Sequence, residues 1–345
     1  MSAHDGSLII GQSRAIQALR SAIADVAPTS LSVLIVGPTG AGKEVVAREI
    51  HRVGECRGTF VALNVCAVQE AMFEATLFGH VKGAFTGAVA DAGGLLAEAH
   101  EGSLLLDEIG SLTRGAQLKL LRVMETKVYR PVGGRQDRRS AFRPLAATNE
   151  NLRTLVAAGE FREDLLERLS GFVIVVPSLA EHRDDIPLLV EAFLRRDGIG
   201  LQARGAPAPR LTDSAIALLV ERAWPRNVRE LYNVLGRACA IAKAPHITQE
   251  HVVAACRHVH DLDVDDGAAG WSVARLSESD QQTRAWLVAL LDRYRGDTKA
   301  VAQECRVDRV TVYRWMKRLH VPTAGRQTLR GLSEDAARPT CDRGG

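Results

Sequence analysis

Gly37-Pro38-Thr39-Gly40-Ala41-Gly42-Lys43 is the stretch that decides how this chain folds. It follows the apolar run Leu31 to Val36 and precedes the helical pattern Glu44 to His51. That strand–loop–helix context is what a phosphate-binding loop requires. The glycines let backbone N–H groups converge on phosphate oxygens, and the helix N-terminus adds a positive field. Lys43 would reach the β- and γ-phosphates of a nucleotide. The competing reading, a glycine-rich turn with a surface lysine, does not account for the placement. One departure stands out: Glu44 occupies the position where a generic loop of this kind has Ser or Thr to ligate Mg²⁺. The candidate nucleotide site therefore includes Glu44, but not as a metal ligand.

Downstream, Leu104-Leu105-Leu106-Asp107-Glu108 is an apolar strand ending in two carboxylates. Asp107 suits Mg²⁺ binding and Glu108 the polarisation of an attacking water. Adjacent acids at a strand end are common on solvated surfaces; following a phosphate loop, in this order, they form its partner motif. Short apolar runs, Leu31 to Val36, Thr59 to Leu63, Ser103 to Leu106, Pro144 to Ala147 and Phe172 to Val176, alternate with helical patterns. The alternation predicts an α/β domain over residues 8–178, a parallel sheet with helices on both faces. Residues 179–258 read as an all-α lid, with helices over Ile186 to Arg196, Asp213 to Arg222, Val228 to Ala242 and Gln249 to Arg257. Residues 259–280 read as a linker, 281–321 as a second helical module, and 322–345 as a disordered tail.

Composition narrows the class. Hydrophobic residues make up 46% and charged residues 25% of the 345, ordinary for a soluble globular protein. The apolar runs fall far short of the about 20 residues a membrane span needs, and Met1 to Ser7 holds no signal-peptide segment, so no membrane insertion and a cytoplasmic location are expected. Cys56, Cys66, Cys239, Cys256, Cys305 and Cys341 include no Cys-x-x-Cys pair, which fits reduced thiols. Cys256, His258 and His260 could hold a metal, but no fourth ligand lies nearby. The net charge of +3 hides an asymmetry: from Gln281 to Gly345 there are thirteen Arg or Lys against seven Asp or Glu. A basic C-terminal end on a slightly acidic body points to a polyanion partner there.

The run Leu77-Phe78-Gly79-His80-Val81-Lys82-Gly83-Ala84-Phe85-Thr86-Gly87-Ala88 places an aromatic, expected to be exposed, and a hydroxyl between two glycines, the make-up of a loop whose tip can change shape. It closely resembles the signature of bacterial enhancer-binding proteins, the AAA+ ATPases that activate sigma-54 RNA polymerase. The resemblance extends over about residues 8 to 320, and the Gly-Lys-Glu form of the phosphate loop is usual in that family. It implies ATP and Mg²⁺ as cofactors and contact with the sigma factor by Gly83, Ala84, Phe85, Thr86, Gly87 and Ala88. It further implies that Asn64 couples the catalytic Glu108 to substrate state and that Asn149 senses the γ-phosphate. Phe161-Arg162-Glu163-Asp164-Leu165-Leu166-Glu167-Arg168-Leu169 resembles the family segment that offers arginines to the next subunit's nucleotide. Arg162 and Arg168 are thus expected as trans fingers in a homo-oligomeric ring, a hexamer; a salt-bridged helix is the alternative. Trp224-Pro225-Arg226-Asn227-Val228-Arg229-Glu230-Leu231 matches the lid motif in which Arg229 contacts nucleotide. Departures from the family pattern are Arg226 for glycine, Val65 before Cys66-Ala67, Val81 for an acid and Ala180 for an arginine. None removes a catalytic group.

Near the C-terminus, Thr298 to Cys305 reads as a short helix and Arg309 to Leu319 as a second, joined by a turn. Arg309, Thr311, Tyr313, Arg314, Lys317 and Arg318 supply groups for phosphates and base edges of double-stranded DNA. The pair resembles the Fis-type helix-turn-helix of the same family, with Arg306 in place of the turn glycine; a helical dimerisation module is the alternative. The sum is an ATP-hydrolysing activator that binds DNA upstream of promoters and remodels the sigma-54 polymerase closed complex into an open one. A DNA-binding regulator that holds nucleotide only as a ligand, and an AAA+ unfoldase, are the competing classes. With only seven residues before Leu8, no receiver or ligand-sensing domain is expected, and control would fall to a trans-acting regulatory protein, a partner activator or the expression level.

Overall fold

The computed structural model describes residues 7–196, 209–242, 246–260, 278–294 and 297–305. Two compact units divide the chain, Met1–Leu262 and Asp263–Gly345. The first is built on five strands, β1 Val33–Val36, β2 Phe60–Asn64, β3 Ser103–Asp107, β4 Arg143–Thr148 and β5 Phe172–Val175. They lie in the order β2-β3-β4-β1-β5, and every pairing is parallel. All five apolar runs of the sequence thus become strands of one sheet.

Side chains alternate between the two faces of a strand, and both faces here are covered, which is why the runs are apolar throughout rather than alternating. Val33, Ile35, Leu105, Leu145 and Ala147 pack with residues of helices Arg14–Val26 and Lys43–Val53. Leu34, Leu104, Leu106 and Ala146 pack on the opposite face with residues of helices Glu70–Phe78, Arg114–Thr126 and Glu163–Leu169. At the β5 edge Val173 and Val175 remain 48% and 69% exposed. Because the strands run in one direction, the Gly37 loop, Asn64, Asp107–Glu108 and Asn149 all emerge at the carboxyl edge of the sheet, where ligands of such folds sit.

Helices Ile186–Arg196, Asp213–Glu221, Asn227–Ala242 and Gln249–His260 form the lid. Its core gathers Leu189, Leu219, Trp224, Leu231, Leu235 and Val252, and the Trp224 indole N–H donates to the Leu219 carbonyl at 2.8 Å. Polar ties fix the lid to the α/β layer. The Asn227 side chain donates to the Thr39 carbonyl at 3.0 Å and accepts from the Leu179 N–H at 2.9 Å. Buried Asp185 accepts from the backbone N–H groups of Gln12 and Ser13. Within the second unit, helices Glu278–Arg293 and Thr298–Glu304 pack Leu287, Val288 and Leu291 on Val301 and Ala302. The candidate DNA-contacting residues Arg309, Thr311, Tyr313, Arg314, Lys317 and Arg318 lie outside the described residues. Among the described residues no helix is long and apolar enough to cross a membrane, and the cysteines there are unpaired.

A candidate nucleotide site and its flanking loop

Gly40 and Gly42 have φ of +77° and +99°, a backbone region that side chains with a Cβ resist. At Gly40 space is a second constraint, since a Cβ would stand 2.2 Å from the Arg226 carbonyl oxygen of the lid. Gly42 caps helix Lys43–Val53, so the helix N-terminus opens directly onto the loop. The Lys43 side chain is buried; its Nζ donates to the Gly37 carbonyl at 3.0 Å and lies 4.0 Å from Glu108 Oε1. Glu108 follows the end of β3 in a left-handed conformation, φ +55°, and its N–H donates to Asp107 Oδ1 at 3.0 Å. From the end of β4, Asn149 Nδ2 donates to Thr39 Oγ1 at 3.0 Å. The Arg229 N–H donates to the Gly40 carbonyl at 3.1 Å.

Thr39, Gly42, Lys43, Asp107, Glu108 and Arg229, among others, line a cleft of about 260 Å³. Glu44 also lines it, but its carboxylate accepts from the Arg48 guanidinium at 2.7 and 3.0 Å. A smaller, mostly apolar cavity of about 100 Å³ adjoins, sharing Gly42, Val45, Phe193 and Val228 with the cleft and closed by Ile9, Leu189 and His182. A larger cavity, about 850 Å³ between Leu34, Val36, Val156, Leu166 and Val173, reaches Asn149 but carries neither Lys43 nor the carboxylates. Lys43, Asp107 and Glu108 all line the cleft of about 260 Å³ instead.

The donor set fits Mg²⁺ held in the company of a nucleotide. Among the described residues no three His, Cys, Asp or Glu side chains cluster to cage a metal, whereas Mg²⁺ habitually takes one or two carboxylates together with substrate phosphates and water. Asp107 is the carboxylate here that could serve such an ion, beside Glu108 and Lys43 in the same cleft.

Three expected site residues stand outside the cleft lining. Asn64 is in register with Asp107 across β2 and β3, and its side-chain oxygen accepts from the Cys66 N–H at 2.9 Å, capping the turn Val65–Ala67. Arg162 and Arg168 do not line the cleft of their own chain. The Arg162 guanidinium forms a forked pair with Asp164, at 3.0 and 2.6 Å, and Arg168 is exposed in the last turn of helix Glu163–Leu169.

The glycine-flanked loop is folded tightly. Gly83 and Gly87 have φ of +81° and +99°, the Gly83 N–H donates to the Ala88 carbonyl and the Ala88 N–H to the Phe85 carbonyl. Phe85, expected at an exposed tip, is half-buried: its ring meets His80 edge-on, with centroids 4.9 Å apart. Thr86 is exposed. Residues the sequence did not single out complete the site. His182, Phe193 and Ile9 shape the apolar cavity and Asp185 ties the lid down, each on an ordinary apolar or helical pattern that carries no local signal; Asn227, which also ties the lid down, lies within the lid motif but was given no role there.

Comparison with known proteins places these features together. Residues 9–175 match the model of the sigma-54 interaction domain, and residues 180–266 that of the AAA+ ATPase lid domain. The chain is 43% identical over 234 residues to the DNA-binding transcriptional regulator NtrC of Azospirillum brasilense, covering 68% of this chain and 48% of that protein. It is 41% identical over 275 residues to the response regulator protein PilR of Pseudomonas aeruginosa, covering 79% and 59%. The chain spans about half the length of the curated relatives it matches. The crystal structure of NtrX from Brucella abortus in complex with ADP superposes with a TM-score of 0.64 at 32% identity, covering 90% of this chain and 69% of that one; NtrX has also been solved with ATP. The chain belongs to the family of sigma-54-dependent transcriptional activators, built on an AAA+ nucleotide-binding domain and its helical lid.

Proposed function

We propose that this protein hydrolyses ATP to ADP and phosphate and uses the cycle to remodel sigma-54 RNA polymerase from a closed to an open promoter complex. The observation that carries the proposal is the convergence of Lys43, Asp107, Glu108 and Asn149 at the carboxyl edge of the sheet, roofed by Arg229 of the lid. Backbone N–H groups of Gly37 to Gly42 and the Lys43 ammonium cradle the β- and γ-phosphates, as Pro38 and Thr39 shape the loop. Asp107 would hold Mg²⁺, whose charge, when bound, offsets that of the phosphates. Glu108 accepts a proton from the attacking water, and Asn149 and Asn64 report the state of the γ-phosphate to the rest of the domain.

Arg162 and Arg168, which do not line the cleft of their own chain, are offered to the nucleotide of the next subunit in a homo-hexameric ring, where a guanidinium stabilises charge building on the transferred phosphoryl group. The loop Gly83 to Ala88 passes the change on to sigma-54. The basic C-terminal end, through Arg309, Thr311, Tyr313, Arg314, Lys317 and Arg318, holds double-stranded DNA upstream of the promoter, and a trans-acting protein regulates the activity. Such a protein works in the cytoplasm, alongside polymerase and DNA. Open-complex formation by purified sigma-54 polymerase tests the proposal. Opening is expected with ATP and absent with a non-hydrolysable analogue. Nucleotide binding without opening would make the protein a DNA-binding regulator that does not remodel polymerase.

A further inference from the structure

His182 is 5% exposed, yet it lines the apolar cavity that adjoins the phosphate cleft. It sits where the helical turn Leu179–Asp185 is interrupted, at φ −140° and ψ 45°. Its Nδ1 is buried, makes no well-aligned hydrogen bond, and lies 3.5 Å from Asp185 Oδ2. Asp185, whose Oδ2 is the group 3.5 Å from Nδ1, is not among the residues that line the cavity, whereas His182 is. Burial raises the Asp185 carboxyl, but hydrogen bonds from Ser13 and Gln12 oppose it, and the group is held below its usual range. Burial likewise holds the His182 imidazole below its ordinary value, against the opposing pull of Asp185 and Glu181.

A neutral imidazole beside a fixed carboxylate places its single proton on the nitrogen facing that carboxylate. The proton is therefore on Nδ1, and Nε2 carries a lone pair. The walls around it, Ile9, Val45, Leu189, Phe193 and Val228, offer a flat aromatic ligand apolar contact but no side-chain acceptor. Among the ring edges of adenine the one donor is the exocyclic 6-amino group; guanine and hypoxanthine carry a 6-oxo acceptor in that place. The geometry points to His182 as the residue that selects the nucleobase: its Nε2 accepts from the 6-amino group of adenine and opposes a 6-oxo group. This rests on the proposal that the adjoining cleft holds a nucleoside phosphate, and it adds a base-reading contact distinct from the phosphate machinery.

Titration of the full chain with ADP and with inosine 5′-diphosphate, which differs from ADP at the 6-position, tests the assignment. The wild type binds ADP more tightly by about tenfold, the effect of one hydrogen bond in a buried site. His182→Leu, which fills the space without an acceptor, brings the two within about twofold by weakening ADP alone. His182→Gln, whose amide oxygen can accept, recovers most of the preference. A preference unchanged in His182→Leu, or both ligands weakened in parallel with no recovery in His182→Gln, would overturn the assignment in favour of a packing role. Tight binding of both ligands by the wild type with no preference would do the same without any variant. If the wild type binds neither, the nucleotide site itself is wrong and the selectivity falls with it. Thermal melts identify a variant that has not folded, and the wild-type comparison then decides.

Discussion

The Lys43 ammonium stands 4.0 Å from the Glu108 carboxylate while donating to the Gly37 carbonyl at 3.0 Å. The group that should hold phosphate and the group that should activate water thus face one another across the cleft. Incoming phosphates would draw Lys43 away and leave Glu108 free to accept a proton.

Separate variants should divide the two roles. Lys43→Ala is expected to abolish tight ATP binding. Glu108→Gln is expected to keep binding and to lower hydrolysis by at least about 10²-fold, the usual contribution of a placed general base. Equilibrium nucleotide titration and a steady-state phosphate-release assay check this, and normal turnover in Glu108→Gln would remove Glu108 from the chemistry.

The Arg162–Asp164 pair sits at the surface, and exposed pairs of this kind hold weakly. Arg162 can therefore be released to another subunit. Mixing Arg168→Ala chains with Glu108→Gln chains, each inactive alone, should restore part of the ATPase, because some interfaces then join an intact arginine to an intact glutamate. No recovery in rings shown to be mixed would leave both arginines as parts of a salt-bridged helix.

Asn227 is 3% exposed and bonds both Thr39 of the phosphate loop and Leu179 at the start of the lid. Asn227→Ala leaves the Leu179 N–H and the Thr39 carbonyl without partners. The expected cost is about 1–3 kcal/mol of stability, together with weaker ATP binding as the lid loosens from Gly40. Urea unfolding and nucleotide titration measure the two; unchanged values in both would mean that Asn227 does not couple lid to loop.

Much of the fold was legible because it is local. Each of the five apolar runs became a strand, and the phosphate loop lies between β1 and helix Lys43–Val53 as its glycines require. The boundaries shifted where tertiary partners intervene: β1 starts at Val33 rather than Leu31, whose carbonyl accepts from the buried Arg143 side chain. The lid motif was readable, yet one of its holds on the loop is the Arg229 backbone N–H, a contact side-chain identity does not reveal. His182 and Asp185 carry no motif, since their meaning comes from the cavity and from Gln12 and Ser13, about 170 residues away in sequence. The seat of Phe85 on His80 depends on a turn that positive φ at Gly83 and Gly87 closes, and ring contacts across a turn leave no periodic trace.

The coupling of hydrolysis to sigma-54 is tested most directly at that loop. Phe85 has no polar group, Thr86 is exposed, and neither lines the nucleotide cleft. Phe85→Ala and Thr86→Ala should therefore keep ATP hydrolysis within about threefold of the wild type, less than roughly 1 kcal/mol of barrier. Because Phe85 is only half-buried against His80, its truncation should cost less than the about 3–5 kcal/mol of a core phenylalanine. The decisive measurement is open-complex formation by sigma-54 polymerase with each variant, run beside its ATPase and thermal melt. The account predicts folded variants that hydrolyse ATP and open no promoter. Variants that hydrolyse ATP and open promoters as the wild type does would contradict it.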